Sequence, residues 1–425
     1  MRQGLIAVVA AAVILGAMVL SVVGGGARDS SATSAKSASS TPTSPPSSSE
    51  SARAPTVVDP AADLDQQLRD AAWAGDVATA QQLIAAGADV NAKDSTYQSA
   101  YLISTSEGPL ELARLMLANG ADLSSLDSYD GTGLIRAAER GLALIAGELV
   151  QAGIDLDHVN NIGYQAIHEA VWFGADDQPS TDTVRVLVAA GADLDTPSES
   201  EGLTPLQMAQ QKGYPASAAT LTAAQGAPIA DPDAALLAAA SAGDADGVAV
   251  ALRSGADIEA RDDRERTALL LASTYDRVDV ARLLVAMGAD PDALDDRHDT
   301  PWLVTGVTGS VAMLEALLPA QPDLTIVNRF GGVSVIPASE RGHVEYVARV
   351  VQTGIDVNHV NEPGWTALLE AVVYGDGSAP YQQIVTILLE AGADPSIADA
   401  QGITALQHAQ QRGQSEVAAI IESYS

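Results

Sequence analysis

Cysteine is absent from all 425 residues. That excludes disulfides, thiolate metal ligands, cysteine nucleophiles and lipid attachment through an N-terminal lipoprotein cysteine. It is compatible with an oxidising compartment managed without bridges. Aromatic residues make up only 4% of a chain that is 47% hydrophobic. That balance suits close-packed small helices rich in Ala and Leu better than a β-sandwich. Positive charge is also scarce, with 22 basic against 55 acidic side chains and a net charge of −33. Such a surface repels nucleic-acid backbones and anionic membrane surfaces. The six histidines form no i, i+4 pair, and no HExxH, nucleophile-elbow, Walker or dinucleotide glycine motif occurs. No metal or cofactor is expected. "DSYDG" (Asp127–Gly131) is too short for a calcium loop.

The ends of the chain differ in kind. An uncharged apolar run from Leu5 to Val23 follows a single basic residue, Arg2. At 19 residues it approaches the roughly 20 that span a bilayer and exceeds a usual secretory core. Residues 1–27 are read as a membrane anchor or a cleaved signal, with the bulk of the chain outside the cytoplasm. Residues 28–61 are rich in Ser, Thr, Ala and Pro and hold too little apolar surface to fold, so a disordered stalk is expected.

From residue 62 a period governs the sequence. The motif G-[AI]-D recurs at Gly87, Gly120, Gly153, Gly191, Gly255, Gly288, Gly354 and Gly392, with spacings of 33, 33, 38, 64, 33, 66 and 38. "TPL" (Thr204–Leu206), "TPW" (Thr300–Trp302) and "TAL" (Thr267–Leu269, Thr366–Leu368, Thr404–Leu406) mark helix starts, where Thr caps free N–H groups. Gly ends the following helix in the left-handed conformation, and stretches such as "ADIEARDDRERT" are turn formers. The array is also duplicated. Gly131–Asp195 and Gly332–Ser396, shifted by 201, share 27 identities in 65 positions without a gap.

With the 33-residue period, "GADVNAKD" (Gly87–Asp94), "GADIEARD" (Gly255–Asp262) and "RGHVEYV" (Arg341–Val347), residues 62–425 closely resemble the ankyrin-repeat family. The resemblance implies an all-α solenoid of about eleven helix-turn-helix units with hairpin-like fingers. A first array covers 62–225, a short joint 226–232 and a second array 233–425. One continuous stack with a weak joint is expected, and two hinged arrays are the alternative. The full family-type "TPLH" is missing, and Thr308–Leu324 is irregular.

Two near-copies carry the chemistry worth weighing: "GIDLDHVNNIGYQAIHEA" (Gly153–Ala170) and "GIDVNHVNEPGWTALLEA" (Gly354–Ala371). His158, His359, Asn160 and Asn361 suit finger turns. Glu169 and Glu370 stand inside inner helices, where a half-buried carboxylate must find partners; a finger His or Asn of a neighbouring unit is the expected donor. Five extra residues follow each Glu, giving the inserted loops Trp172–Asp182 and Val373–Gln383. Insertions in solenoids map to one face, often the binding face. The candidate partner-binding set is therefore Glu169, Trp172, Phe173, Asp176, Asp177, Trp365, Glu370, Tyr374, Asp376 and Tyr381. Tyr97 and Phe330 are further candidate anchors, while Tyr101 and Trp302 are read as packing residues.

The resemblance implies a non-catalytic scaffold binding a protein partner through the concave face, the fingers or the paired loops. The expected state is a monomer, held outside the cytoplasm on a membrane-anchored stalk or secreted if the N-terminal segment is cleaved. Two alternatives stand: an enzyme using Glu169 or Glu370 for acid–base work, and a stress-protective or toxin-neutralising partner protein.

Overall fold

A computed structural model describes residues 63–424; the N-terminal anchor or signal and the stalk lie outside them. The described residues form one compact unit. Within the described residues are 22 α-helices and no strand, only isolated bridges at Arg261–Thr267 and Ala398–Thr404. No described helix is long and apolar enough to cross a membrane.

The helices come in pairs. The first array holds α1 (Leu64–Trp73) with α2 (Val77–Ala85), α3 (Ala100–Ser104) with α4 (Leu110–Ala118), α5 (Gly133–Glu139) with α6 (Ala143–Gln151), α7 (Ala166–Trp172) with α8 (Gln178–Ala190), and α9 (Pro205–Lys212) with α10 (Pro215–Ala224). The second opens with α11 (Pro232–Ala242) and α12 (Ala245–Arg253), then α13 (Ala268–Thr274) and α14 (Val278–Ala286), α15 (Pro301–Thr308) and α16 (Val311–Leu317), and α17 (Val335–Glu340) and α18 (Val344–Val350). It ends with α19 (Ala367–Val373) and α20 (Ala379–Glu390), then α21 (Ala405–Gln411) and α22 (Ser415–Glu422). Eleven units result, five and six per array.

Local chemistry sets these boundaries. Thr267, Thr300, Thr366 and Thr404 each accept an N–H from the third residue of the helix they cap, and Gln407 completes a capping box with Thr404. In the irregular stretch Thr308–Leu324, Gln321 takes the left-handed conformation (φ 56°) that Gly holds at Gly120 and Gly288, and a 3₁₀ turn, Leu318–Ala320, finishes α16. The unit keeps its fold with a non-Gly residue at the strained position.

Odd-numbered helices pack in succession as the inner layer from α1 to α9, and again from α11 to α21. The continuous stack expected from the sequence is not what forms. α11 does not pack on α9 as its predecessors pack on each other; instead α12 lies against α8 and α10, and α14 against α6 and α8. The arrays thus meet through their outer helices, back to back. The physical reason lies in the contacts. Arg185 Nε bonds Asp246 Oδ1 at 2.8 Å, Arg282 Nε bonds Asp182 Oδ2 at 2.8 Å, and Gln151 Nε2 donates to the Ala286 carbonyl at 3.0 Å. Gly147 lets α6 approach α14 so closely that a Cβ there would sit 1.9 Å from the Ala286 oxygen. The inner layers, and the concave surfaces they line, are left free.

Candidate functional site

A recurring clasp joins each of several fingers to the inner helix that follows. In one unit Asp127 Oδ1 accepts the N–H groups of Tyr129 (2.8 Å) and Gly131 (2.9 Å), while Oδ2 takes Arg136 Nη1 at 2.8 Å. Near the C-terminus Asp399 Oδ1 accepts from Gln401 and Ile403, both at 2.9 Å, and Oδ2 meets His408 Nε2 at 2.7 Å. The finger residue needs one oxygen for its own turn; its other atom decides what the helix must supply nine positions later.

Asn160 and Asn361 reverse that polarity. Their Oδ1 atoms still bind the turn, Asn160 accepting from Tyr164 at 2.9 Å and Asn361 from Trp365 at 2.8 Å. The other atom is now a donor. Asn160 Nδ2 donates to Glu169 Oε1 at 2.7 Å, and Asn361 Nδ2 to Glu370 Oε1 at 3.0 Å. A donor on the finger calls for an acceptor on the helix, which accounts for both Glu. Each carboxyl is buried, with Oε2 unpartnered. Burial pushes both up to about 7, against the partial counter-effect of the Asn bond. The finger histidines take no part. His158 donates Nε2–H to the Asp130 carbonyl (2.7 Å) and His359 to that of Gly331 (2.6 Å), tying each finger to the one before it.

The inserted loops are bound to their neighbours. Trp172 lies under Lys212, whose ammonium sits 4.6 Å from the ring centroid and donates to the Trp172 carbonyl. Asp176 accepts the Ala216 N–H at 3.2 Å, and Asp177 caps α8 through the Ser180 N–H at 3.1 Å. In the second copy Asp376 accepts from Ser378 within its own turn at 2.9 Å, and the Tyr381 hydroxyl donates to the Glu340 carbonyl at 3.0 Å. Gly375 recurs at the offset of Gly174 because a Cβ there would meet the Ala371 carbonyl at 2.1 Å and the Tyr381 ring at 2.7 Å. Phe173 and Tyr374 remain exposed, and Tyr374 packs edge-on against half-buried Trp365 at 5.3 Å. Tyr97 and Phe330 are exposed on fingers, whereas Tyr101 and Trp302 are fully buried.

The concave face of the second array holds a groove of about 530 Å³. Its finger wall carries Arg297, Arg329 and Phe330; its floor carries Glu340 and Glu370; its far wall carries Arg341 and Tyr374. Arg329 lies 4.6 Å over the Phe330 ring and 3.3 Å from Asp299. Burial holds Asp299 above its usual range, against the opposing pull of the Arg329 and Arg297 charges. Arg341 is exposed and makes no side-chain hydrogen bond or ion pair among the described residues. Of the residues singled out from the sequence, Phe330, Glu370 and Tyr374 line this groove and Trp365 does not; the arginines were missed. Comparing the copies at the shift of 201 would have found them, since Thr96 and Ser128 stand where the second array has Arg297 and Arg329. Glu169, Trp172 and Phe173 belong to the other array, away from this groove. Among the described residues no group of three His, Asp or Glu is placed to hold a metal ion.

Comparison with known proteins gives this architecture its relatives. The family model for ankyrin repeats (3 copies) matches residues 302–399, and the single ankyrin repeat model matches 264–296. The putative ankyrin repeat protein YahD of Escherichia coli (strain K12) is 41% identical over 186 residues, 44% of this chain and 92% of the relative. Two solved structures are similar over a comparable stretch. An ankyrin repeat domain from Acinetobacter baumannii AYE is 43% identical, with TM-score 0.43, 44% of this chain and 96% of that one covered. The ankyrin repeat protein EF0377 is 36% identical, with TM-score 0.44, 45% of this chain and 98% of that one covered. With a relative matched at that identity over nearly its whole length, and with the clasped finger-and-helix units described above, the chain belongs to the ankyrin-repeat family.

Proposed function

We propose that this protein is a non-catalytic interaction scaffold that binds a protein partner in the concave groove of its second array. The observation that carries the reading is the groove itself. It combines exposed Phe330 and Tyr374 with Arg297 and Arg341, which form no ion pair among the described residues, and with Arg329, which is paired to Asp299. Aromatic and arginine side chains are the residue types that dominate protein interfaces. The sequence supports the rest of the picture: an apolar N-terminal run, a Ser- and Pro-rich stalk, and a monomeric repeat domain presented outside the cytoplasm.

Glu370 lines the groove with a carboxyl near neutrality, which would suit a general acid or base. The clasp favours the structural role, because Arg136 and His408 fill the equivalent position in other units. The test is affinity capture from a detergent extract of the cell envelope, with the full chain as bait beside a Phe330→Ala, Tyr374→Ala variant. A specific protein retained by the native chain and lost by the variant supports the groove. Retention by both moves the site elsewhere on the repeats, and a native chain that retains no protein contradicts the scaffold reading.

A further inference from the structure

The groove's charge runs against that of the molecule. In a chain of net charge −33, Arg297, Arg329 and Arg341 line one concavity with the ion-paired Arg264 and Arg266 and with Asp295, Asp299, Glu340 and Glu370, while at the first three positions the copy 201 residues earlier has Thr96, Ser128 and Arg140. Arg140 is already held by Glu107 at 3.0 Å. The residue matching Glu107 is Thr308, and this replacement is what leaves Arg341 without a partner. The cations stand on both walls: Arg297 and Arg329 on fingers, Arg341 at the far end of the six-residue α17, about 10 Å away along the helix. Between them Glu370 lines the groove at 94% burial, with its buried Oε2 unpartnered. A buried acceptor without a donor is costly, and a ligand N–H would relieve it.

We propose that this groove takes an acidic, extended peptide segment of the partner protein, its carboxylates held by Arg297 and Arg329 on one wall and Arg341 on the other, with a backbone N–H donated to Oε2 of Glu370. The inference rests on the scaffold reading and specifies its ligand. An extended strand supplies what the walls and floor require, because its side chains leave on alternate sides while its N–H groups remain available. The chain's own residues 28–61 are a poorer occupant, with three basic side chains against three acidic. A long polyanion is disfavoured by the acidic surface surrounding the groove.

The test uses the full chain and a fluorescein-labelled, acetylated peptide repeating Glu-Glu-Gly, whose neighbouring Glu face opposite walls when extended, read by fluorescence anisotropy at two salt concentrations. A peptide with Lys in place of Glu and an oligothymidylate of equal length run beside it. The expected result is saturable, salt-weakened binding of the Glu peptide alone. Arg297→Thr with Arg329→Ser, the residues of the first array, weakens it by about tenfold or more. Thr308→Glu re-ties Arg341 without removing a cation and weakens it several-fold, while Arg140→Ala leaves it unchanged. Melting curves show that each variant is folded; Thr308→Glu introduces a residue the first array already carries at that place. Overturning results are no binding of the Glu peptide, equal binding of the Lys peptide or the oligothymidylate, or equal loss with Arg140→Ala. If a captured partner still depends on Phe330 and Tyr374 while the Glu peptide fails, the scaffold reading stands and the acidic ligand falls.

Discussion

In the first array Arg140 is paired with Glu107 and Arg136 with Asp127. In the second, 201 positions later, Thr308 stands at the place of Glu107 and Arg341 at that of Arg140, and Pro337 with Asn328 replaces the Arg136–Asp127 clasp. The first array's outer helices add Arg185 to Asp246 and Asp182 to Arg282, contacts that join it to its copy. On the proposed reading, one ancestral surface serves two uses. The first array commits its arginines to holding the molecule together, whereas in the second Arg297 and Arg341 line a groove with no ion pair among the described residues, beside Arg329 on Asp299. Divergence after duplication changed few positions, because a charge is freed as surely by losing its partner as by arising anew.

The back-to-back packing gives the largest expected effect. Gly147→Val drives a side chain into the Ala286 carbonyl. A loss of about 3 kcal/mol is expected in urea unfolding, with a larger radius of gyration in solution scattering as the arrays part.

The clasps come next. Asn361→Asp sets a carboxylate against Glu370 and should cost about 2 kcal/mol. Adding Glu370→Arg recreates the pairing of Asp127 with Arg136 and should recover most of that loss, a coupling that a double-mutant cycle reads directly. Failure of the second change to rescue the first would show that the clasp polarity is not the reason for the two Glu.

A smaller effect concerns pH. Both Glu are raised to about 7 in the fold from the ordinary 4.5. Their contribution to stability is fully present below pH 4.5 and is lost as pH rises through 7. Glu169→Gln with Glu370→Gln should flatten the stability profile across that window and raise stability at pH 8 by about 1 kcal/mol. Smallest of all is Glu107→Ala, which frees Arg140 on the surface and should change stability by less than about 1 kcal/mol.

Much of this was legible in the sequence. Thr caps, left-handed Gly and the 33-residue period are local signals, and each fixed a helix end where it was expected. The Glu–Asn link was anticipated in kind, though the donor is the finger leading into the same helix, and His158 and His359 serve the preceding finger instead. Back-to-back packing was not legible, because Gly147, Arg185 and Asp246 sit on outer helices where any small or charged residue is ordinary. Their meaning depends on helices about 60 or more positions away, as with Arg185 and Asp246 or Gln151 and Ala286. The arginines of the groove escaped notice for a related reason. Singly each is a solvated side chain, and only their shared concavity gives them weight.

The measurement that tests the account most directly is a transplant. Thr96→Arg, Ser128→Arg and Glu107→Thr give the first array the residues of the second, on a surface that already carries exposed Tyr129 and Phe173. Titration calorimetry with the acidic peptide should then find a second site per chain, with the original site unchanged. A folded transplant that still binds through the original groove alone would contradict the claim that these few substitutions separate the two halves.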